Sequence, residues 1–291
     1  MKKVLLVSGA ETSKRDLVAF MADTLGEEVE CYQTYLRELC YTISPGYFQV
    51  FDTRNRLDLK DVDVVFIRGV EKIPVSEIYY LSRYCEWSGT ECISDYSLYV
   101  PPDKLSQAIL FLEQGVSFLK TLYCQNREVL IGEAEKAFKY PYILKASLAS
   151  SGNSNYLVKS LSEARWALKE EPQTDFLAQE YCPNDHDYRL LIIGDEFLLF
   201  ERRGSVESHL NNTSKGGKAT IIPNALPASI ILESRKLAKC IGLKIAGVDI
   251  VPNIDTGTLY FLEVNIQPQL RTGAFLEEKK VLLRKLFDDI Y

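Results

Sequence analysis

Short unbroken apolar runs alternate with amphipathic stretches over the first hundred residues of this chain. Lys3–Ser8 and Asp63–Ile67 (DVVFI) are runs of the first kind and predict strands buried on both faces, with Cys92–Ser94 a short third. Lys14–Leu25 sets Leu17, Val18, Met21 and Leu25 on one helical face, and Val75–Tyr84 predicts a second helix. Alternating strands and helices imply a small parallel α/β unit. Pro101-Pro102 breaks the pattern and opens a helix over Asp103–Gln114, with Asp103 in its first turn.

Beyond that break the pattern changes. Tyr142–Ala146 predicts a strand, Ser147–Asn155 a polar loop, Tyr156–Lys159 a strand, Ser162–Glu170 a helix and Phe176–Tyr181 a strand. Tyr188–Ile193, the corner Gly194-Asp195 and Glu196–Arg202 then read as an antiparallel hairpin. A helix Ala228–Ile241, the strand pair Ile245–Val251 and Leu259–Val264, and a terminal helix Leu276–Ile290 complete the series. Three units are expected: 1–98, an N-terminal α/β domain; 99–182, a central subdomain with a loop able to act as a lid; and 183–291, a C-terminal antiparallel-sheet subdomain. The segment YFQVFDTRN reads as core and loop rather than a base-stacking platform. No internal repeat or low-complexity tract interrupts the reading.

Composition narrows the function classes. The 291 residues carry a net charge of -6, with 34 basic against 40 acidic side chains, which argues against a phosphate-tracking nucleic-acid surface. No apolar run approaches the roughly 18 residues that a membrane span requires, and the run after Lys3 is too short for a secretion signal. Seven cysteines without a C-x-x-C pair point to free thiols in a reducing compartment, so a cytoplasmic protein is expected. Only His186 and His209 are present, which excludes a His-rich metal site; both stand in polar segments and read as surface residues. VSGAETSKRD lacks the G-x-x-x-x-G-K-[ST] spacing of a phosphate loop.

Three stretches carry candidate chemistry. In AGVDIVPNIDTGTLYFLEVNIQP, Asp249 lies within an apolar run, where a lone carboxylate is costly. Glu263 and Asn265 are two apart and therefore share a strand face. Three oxygen donors on adjacent strands suit a hard cation such as Mg²⁺, although acids on the solvated face of a plain hairpin give the same spacing. If the metal reading holds, an antiparallel register should set Asp249 opposite an odd-numbered residue, Glu263 first among them. In YPYILKASLASSGNSNYLV, Lys145 ends a strand before a Ser/Gly/Asn loop, an arrangement that can bind polyphosphate or simply snorkel. In FLAQEYCPNDHDYRLLIIGDEFLLFERRGSVESHLNNTSKGGKA, Asp187-Tyr188-Arg189 opens one hairpin, Glu201-Arg202-Arg203 closes it, and an Asn/Ser/Gly-rich loop follows. There an arginine could complement a transferred phosphoryl group, or merely form a surface ion pair.

Taken in order, from DKLSQAILFLEQGV through YILK and its loop, FLAQEY, HDYRLLIIGDE, ERR and NNTSKGG to AGVDIV and FLEVN, these segments resemble the RimK-like branch of the ATP-grasp carboxylate–amine (glutamate) ligases. The resemblance spans about Asp103 to Pro268. It implies an ATP-grasp fold and ATP with one or two Mg²⁺ ions, Mn²⁺ being an alternative. It also implies amide or peptide bond formation through an acyl-phosphate, with ADP and phosphate released. Carried over by position, Lys104 and Lys145 would contact ATP phosphates, and Ser150, Ser151 and Gly152 would form the lid. Gln179, Glu180, Tyr181 and Leu262 would hold the base, Asp187 the ribose, and Asn212 the phosphate side. Arg189 and Arg202 would be the catalytic cations, and Asp249, Glu263 and Asn265 the metal ligands.

The chain departs from the family pattern in three places: one glycine in the lid, no arginine near Leu210-Asn211, and Ile266-Gln267-Pro268-Gln269 after the asparagine. The partners implied are a small-molecule or peptide carboxylate and an amine such as an amino acid, with no nucleic acid or membrane; a homo-oligomer is compatible. Two other readings stay open, a nucleotide-binding regulatory protein without ligase turnover and a plain interaction scaffold.

Overall fold

The structure, a computed structural model, describes residues 1–9, 15–69, 75–94, 103–148, 154–204 and 218–290. Its first unit holds β1 (Lys2–Ser8), α1 (Arg15–Leu25), β2 (Val29–Tyr35), β3 (Leu39–Ser44), β4 (Tyr47–Asp52), β5 (Leu57–Asp58), β6 (Val64–Ile67), α2 (Val75–Ser88) and β7 (Glu91–Ser94). β2, β1, β6 and β7 pair in that order, all parallel. Val4–Val7 and Val64–Ile67 are wholly buried, which is why both segments read as continuous apolar runs rather than alternating ones. A separate antiparallel sheet, β3-β4-β5, is inserted between β2 and β6. Its central strand is the segment expected to be core and loop. Aromatics on both faces of Tyr47–Asp52, with Val50 buried and Tyr47 and Phe51 exposed, hide the two-residue period there.

The second unit holds α3 (Lys104–Gln114), β8 (Thr121–Tyr123), α4 (Arg127–Ala137), β9 (Tyr142–Ala146), β10 (Asn155–Val158), α5 (Leu161–Glu170) and β11 (Phe176–Glu180). Its strands pair in the order β10-β9-β11-β8. Asp103 is the N-cap of α3 rather than part of its first turn: its carboxylate accepts from the Ser106 amide at 2.9 Å and hydroxyl at 2.7 Å. Gly115, at φ 69°, ends that helix in the left-handed conformation that glycine adopts without strain.

The third unit holds β12 (Asp187–Ile193), β13 (Glu196–Arg203), β14 (Lys218–Ile221), α6 (Ala228–Cys240), β15 (Ile245–Pro252), β16 (Leu259–Asn265) and α7 (Leu276–Ile290). Its five strands form one antiparallel sheet, β14-β13-β12-β15-β16. The elements β2, β8, α4 and β14 had no clear signature in the apolar pattern.

The two faces of this last sheet do different things. One packs Leu190, Ile192, Val248, Ile250 and Val264 against Phe111 of α3 and Leu237 and Ala238 of α6. The other packs Leu191, Leu198, Phe200 and Ile245 against Leu283, Leu286 and Phe287 of α7, and continues without a break into Val4, Leu6, Met21 and Phe66 of the first unit. Phe66 meets Phe287 edge-on, with ring centroids 6.1 Å apart. Arg68, just after β6, donates to the Pro268 carbonyl at 2.9 Å. The first unit is thus joined to the last by apolar packing and by a hydrogen bond.

This shared core makes a prediction. Phe287→Ala should cost about 3–5 kcal/mol, and hydrogen exchange should show amides of β1 and β6 losing protection together with those of β12. Unchanged protection in β1 and β6 would mean that the two units are stable independently.

Candidate active site

The antiparallel register builds the site. Phe200, Arg189, Asp249 and Glu263 are successive partners across β13, β12, β15 and β16, so they stand in one row on one face. The next row runs Leu198, Leu191, Gly247 and Asn265. Asp249 faces Glu263 as the metal reading required. Immediately beyond this pair the register slips by one, and Ile250 pairs with Phe261. The slip leaves Leu262 as an extra residue in β16, a bulge, and reverses the alternation there. Leu262 and Tyr260 pack with Leu119, Cys182 and Val251, while Glu263 and Asn265 belong to the acidic rows beside them. An apolar slot and an acidic edge therefore adjoin on one strand.

Asp249 is held by two arginines. Arg189 donates to it through Nε and Nη2, both at 2.6 Å, and Arg202 Nη2 lies 3.1 Å from Asp249 Oδ2. Arg202 also donates through Nε to Asp187 at 2.6 Å. Arg202, Asp187 and Asp249 are 3%, 6% and 6% exposed, so each charge depends on its partners rather than on water. Burial works to raise the Asp249 pKa, and Arg189 and then Arg202 overcome it, leaving the carboxyl below its ordinary value. For Asp187 burial outweighs Arg202, and its pKa is raised. Burial would lower the Arg202 pKa, but Asp249 and Asp187 raise it above the usual arginine value.

The carboxylate of Asp187, expected at a ribose, is buried and accepts from Arg202 through Oδ1. Arg203 lies on the other face, exposed, and pairs with Asp185 and Glu201. His186 is not a free surface residue, since its ring sits between Asp185 and the Tyr188 hydroxyl.

Lys145, on β9 of the second unit, lies near enough to Lys104 and to Glu263 of the acidic row to feel the charge of each. Lys145 Nζ donates to Gln179 Oε1 at 2.8 Å, and Gln179 Nε2 donates to Thr121 Oγ1 at 2.9 Å. Gln179 is thereby occupied in fixing Lys145. The amide of Lys104 donates to the Ser147 carbonyl at 3.0 Å, tying the start of α3 to the end of β9. Burial first, then the charge of Lys104, depress the Lys145 pKa to about 8, against the pull of Glu263. Glu180 is exposed and Tyr181 half-buried at the end of β11, near the apolar slot through Cys182. Ser150, Ser151, Gly152 and Asn212 lie outside the described residues.

The oxygen donors fit a hard cation. Among the described residues the carboxylate of Glu263 has no hydrogen bond or ion pair. Asn265 donates through Nδ2 to the Gly247 carbonyl at 3.2 Å and to Asp249 at 3.1 Å, which leaves its amide oxygen for a ligand. The set is two carboxylates and an amide, and among the described residues no group of three His, Cys, Asp or Glu side chains gathers at a common point.

Sequence reasoning missed Lys279, which is 3% exposed on α7 and donates to the Thr272 carbonyl at 2.9 Å. Its signal was present: it is the first position of the buried stripe Lys279, Leu283, Leu286, Phe287.

Comparison with known proteins bears on these features together. Residues 102–280 match the model of the RimK-like ATP-grasp domain, well over half of the chain. The chain belongs to this family.

This ATP-grasp protein is 27% identical over 214 residues to a probable alpha-L-glutamate ligase of Cellvibrio japonicus (strain Ueda107), covering 69% of this chain and 68% of that one. It is 25% identical over 225 residues to one of Histophilus somni (strain 2336), covering 76% of this chain and 62% of the relative. The match thus spans about two thirds of those relatives' length. Among solved structures, the macrocyclase MdnC of Microcystis aeruginosa, bound with its precursor peptide MdnA, has a TM-score of 0.66 at 16% identity, covering 98% and 99% of the two chains. VanG D-Ala:D-Ser ligase of Enterococcus faecalis has 0.67 at 17%, covering 100% and 99%. Both share the ATP-grasp fold of this chain. Members of the family use ATP and Mg²⁺.

Lys145 gives a prediction in which stability and binding move apart. A pKa lowered from 10.5 to about 8 is a penalty on the buried cation of roughly 3 kcal/mol. The folded pKa lies below the unfolded one. The penalty is therefore fully present below about pH 8 and is relieved as pH rises toward 10.5, where the unfolded chain still holds the proton. Lys145→Met should leave the protein without nucleotide at least as stable as the wild type at pH 7, with that advantage shrinking toward pH 10. It should also lose most of the thermal protection conferred by Mg·ATP. Scanning fluorimetry reads both, and full ATP protection of the variant would remove Lys145 from the phosphate site.

Proposed function

We propose that this chain is an ATP-dependent carboxylate–amine ligase whose nucleotide lies between the second and third units. The observation that carries the reading is the approach of Lys145, with Lys104 beside it, to Glu263 in the row of Asp249, Glu263 and Asn265. Cations on one wall suit the phosphates, and oxygen donors on the other suit their metal. The slot of Leu119, Cys182, Val251, Tyr260 and Leu262 supplies an apolar bed for the base, with Glu180 and Tyr181 at its edge. Asp249, Glu263 and Asn265 would hold one or two Mg²⁺ ions, with Mn²⁺ an alternative. When bound, the metal supplies charge neutralisation on the phosphates.

Arg189 and Arg202 would face the transferred phosphoryl group and the acyl-phosphate formed from the substrate carboxylate, and an amine then displaces phosphate to give an amide. The residues supply position and fixed positive charge rather than a covalent nucleophile. Asp187 acts by holding Arg202 in place. The substrates are a small-molecule or peptide carboxylate and an amine. Among the described residues no helix is long and apolar enough to cross a membrane.

Arg202 provides the test. Arg202→Met would leave buried Asp187 without its arginine, although Asp249 keeps Arg189, and would destabilise the fold by about 3–5 kcal/mol, so Arg202→Lys is the informative variant. It should lower kcat and kcat/KM together, by about 10²- to 10³-fold, with ATP affinity nearly unchanged. Arg203→Met should stay within about twofold of the wild type, as expected of a surface ion pair. The assay is ADP release across a panel of carboxylate and amine pairs. Nucleotide binding without substrate-dependent release from the wild type would favour a regulatory ATP-binding role instead.

A further inference from the structure

Gln107 stands in the buried stripe of α3 beside Leu110 and Phe111, which pack on the five-stranded sheet, and is only 6% exposed. An amide group at such a position is costly unless it is hydrogen-bonded. Gln107 Oε1 accepts from the backbone amide of Val264 at 2.8 Å, a contact between residues 157 positions apart. Val264 lies between Glu263 and Asn265, two of the three oxygen donors of the candidate metal row.

The bulge in β16 creates the need for this contact. β16 is an edge strand, so an amide that points away from β15 meets no neighbouring strand of its sheet. Before the bulge the outward amide is that of Phe261, which donates to the Ser117 carbonyl at 2.8 Å. In a regular strand the next outward amide would be that of Glu263, two residues on. The extra residue Leu262 moves it to Val264, where Gln107 supplies the acceptor that a neighbouring strand would have given. The peptide unit held in this way is the one that joins Glu263 to Val264. It is planar, so fixing its amide also fixes the direction in which the Glu263 side chain leaves the strand, and Asn265 follows one residue later. The same helix starts at Lys104, whose amide donates to the Ser147 carbonyl at 3.0 Å one turn before Gln107. α3 therefore ties the end of β9 to the strand that carries the oxygen donors.

We propose that Gln107 is a positioning residue for the metal row, which holds the bulged end of β16 through Val264 and so sets Glu263 and Asn265 for the cation. This rests on the ligase reading above and adds a residue that touches neither substrate nor metal.

The test uses the full chain with ADP, and Mn²⁺ as the metal probe. Electron paramagnetic resonance measures Mn²⁺ binding to the ADP-bound protein, calorimetry measures ADP binding without metal, and hydrogen exchange follows β16 in the ligand-free chain. Gln107→Leu keeps the size of the side chain but removes the acceptor. It should weaken Mn²⁺ binding by about tenfold or more, as loss of a group that orients metal ligands does, with metal-free ADP binding nearly unchanged. Exchange at the end of β16 should quicken while β12 and β15 stay protected. Gln107→Glu keeps an acceptor in either protonation state and should restore most of the metal affinity. Wild-type Mn²⁺ affinity in Gln107→Leu, or an equal loss of Mn²⁺ and metal-free ADP binding, overturns the proposal. Should Gln107→Leu not fold, Gln107→Asn, one methylene too short for the bond, is measured in its place with the same outcomes. A wild type that binds ADP but takes up no Mn²⁺ overturns the metal reading on which the proposal rests, and so keeps that failure apart from a failure of Gln107 alone.

Discussion

The carboxylate of Asp249 is the point on which the candidate site depends. Both of its oxygens accept from Arg189, and one also meets Arg202 and Asn265. This many donors on one buried acid hold it ionised where burial alone would favour the neutral form. The same contacts orient the arginines, since each guanidinium is pinned by a short charge-assisted bond. Neither arginine could stand inside the sheet without the aspartates, and neither aspartate could remain charged without the arginines. The arrangement proposed as catalytic is thus held in place by the interactions that make its burial tolerable.

The surrounding fold serves this cluster from two directions. α3 and α6 cover one face of the five-stranded sheet and leave the other face for the charged rows and the core shared with the first unit. α7 completes that second face. Its buried stripe is apolar at Leu283, Leu286 and Phe287 but ends in Lys279, so the helix that seals the core also delivers a cation to its rim. The bulge in β16 makes a further division, turning Leu262 toward the apolar slot while Glu263 stays in the acidic row. A single extra residue in one strand sets the boundary between an apolar bed and a polar edge.

Long elements were legible in the chain because their periodicities reflect their burial. The parallel strands β1 and β6 show unbroken apolar runs because both faces are covered, and α3, α6 and α7 show helical spacing. The motif residues Asp249, Glu263, Asn265, Arg189, Arg202, Lys104 and Lys145 could be named from order and spacing, together with the family resemblance. The small sheet β3-β4-β5, β2, β8, α4 and β14 were not legible. β8 and β14 are only three and four residues long, β4 carries aromatics on both faces, and β2 and α4, at seven and eleven residues, bury too few apolar positions for a period to stand out.

The partners of these residues belonged to the tertiary structure. Sequence spacing puts Glu263 and Asn265 on one face, since alternation is local, and a pattern over a few residues is enough to set it. It cannot say that Asp187 pairs with Arg202, because that contact is made by the pairing of β12 with β13 and a rotamer choice on each. Nor can it say that Gln179 is spent on Lys145 and Thr121, or that Lys279, on the last helix, comes to line the same recess as Arg189. The sequence by itself determined the kinds of charge available and the face of each strand that carries them. Only the folded chain decided which charges neutralise one another, because that depends on distances between residues far apart along the chain.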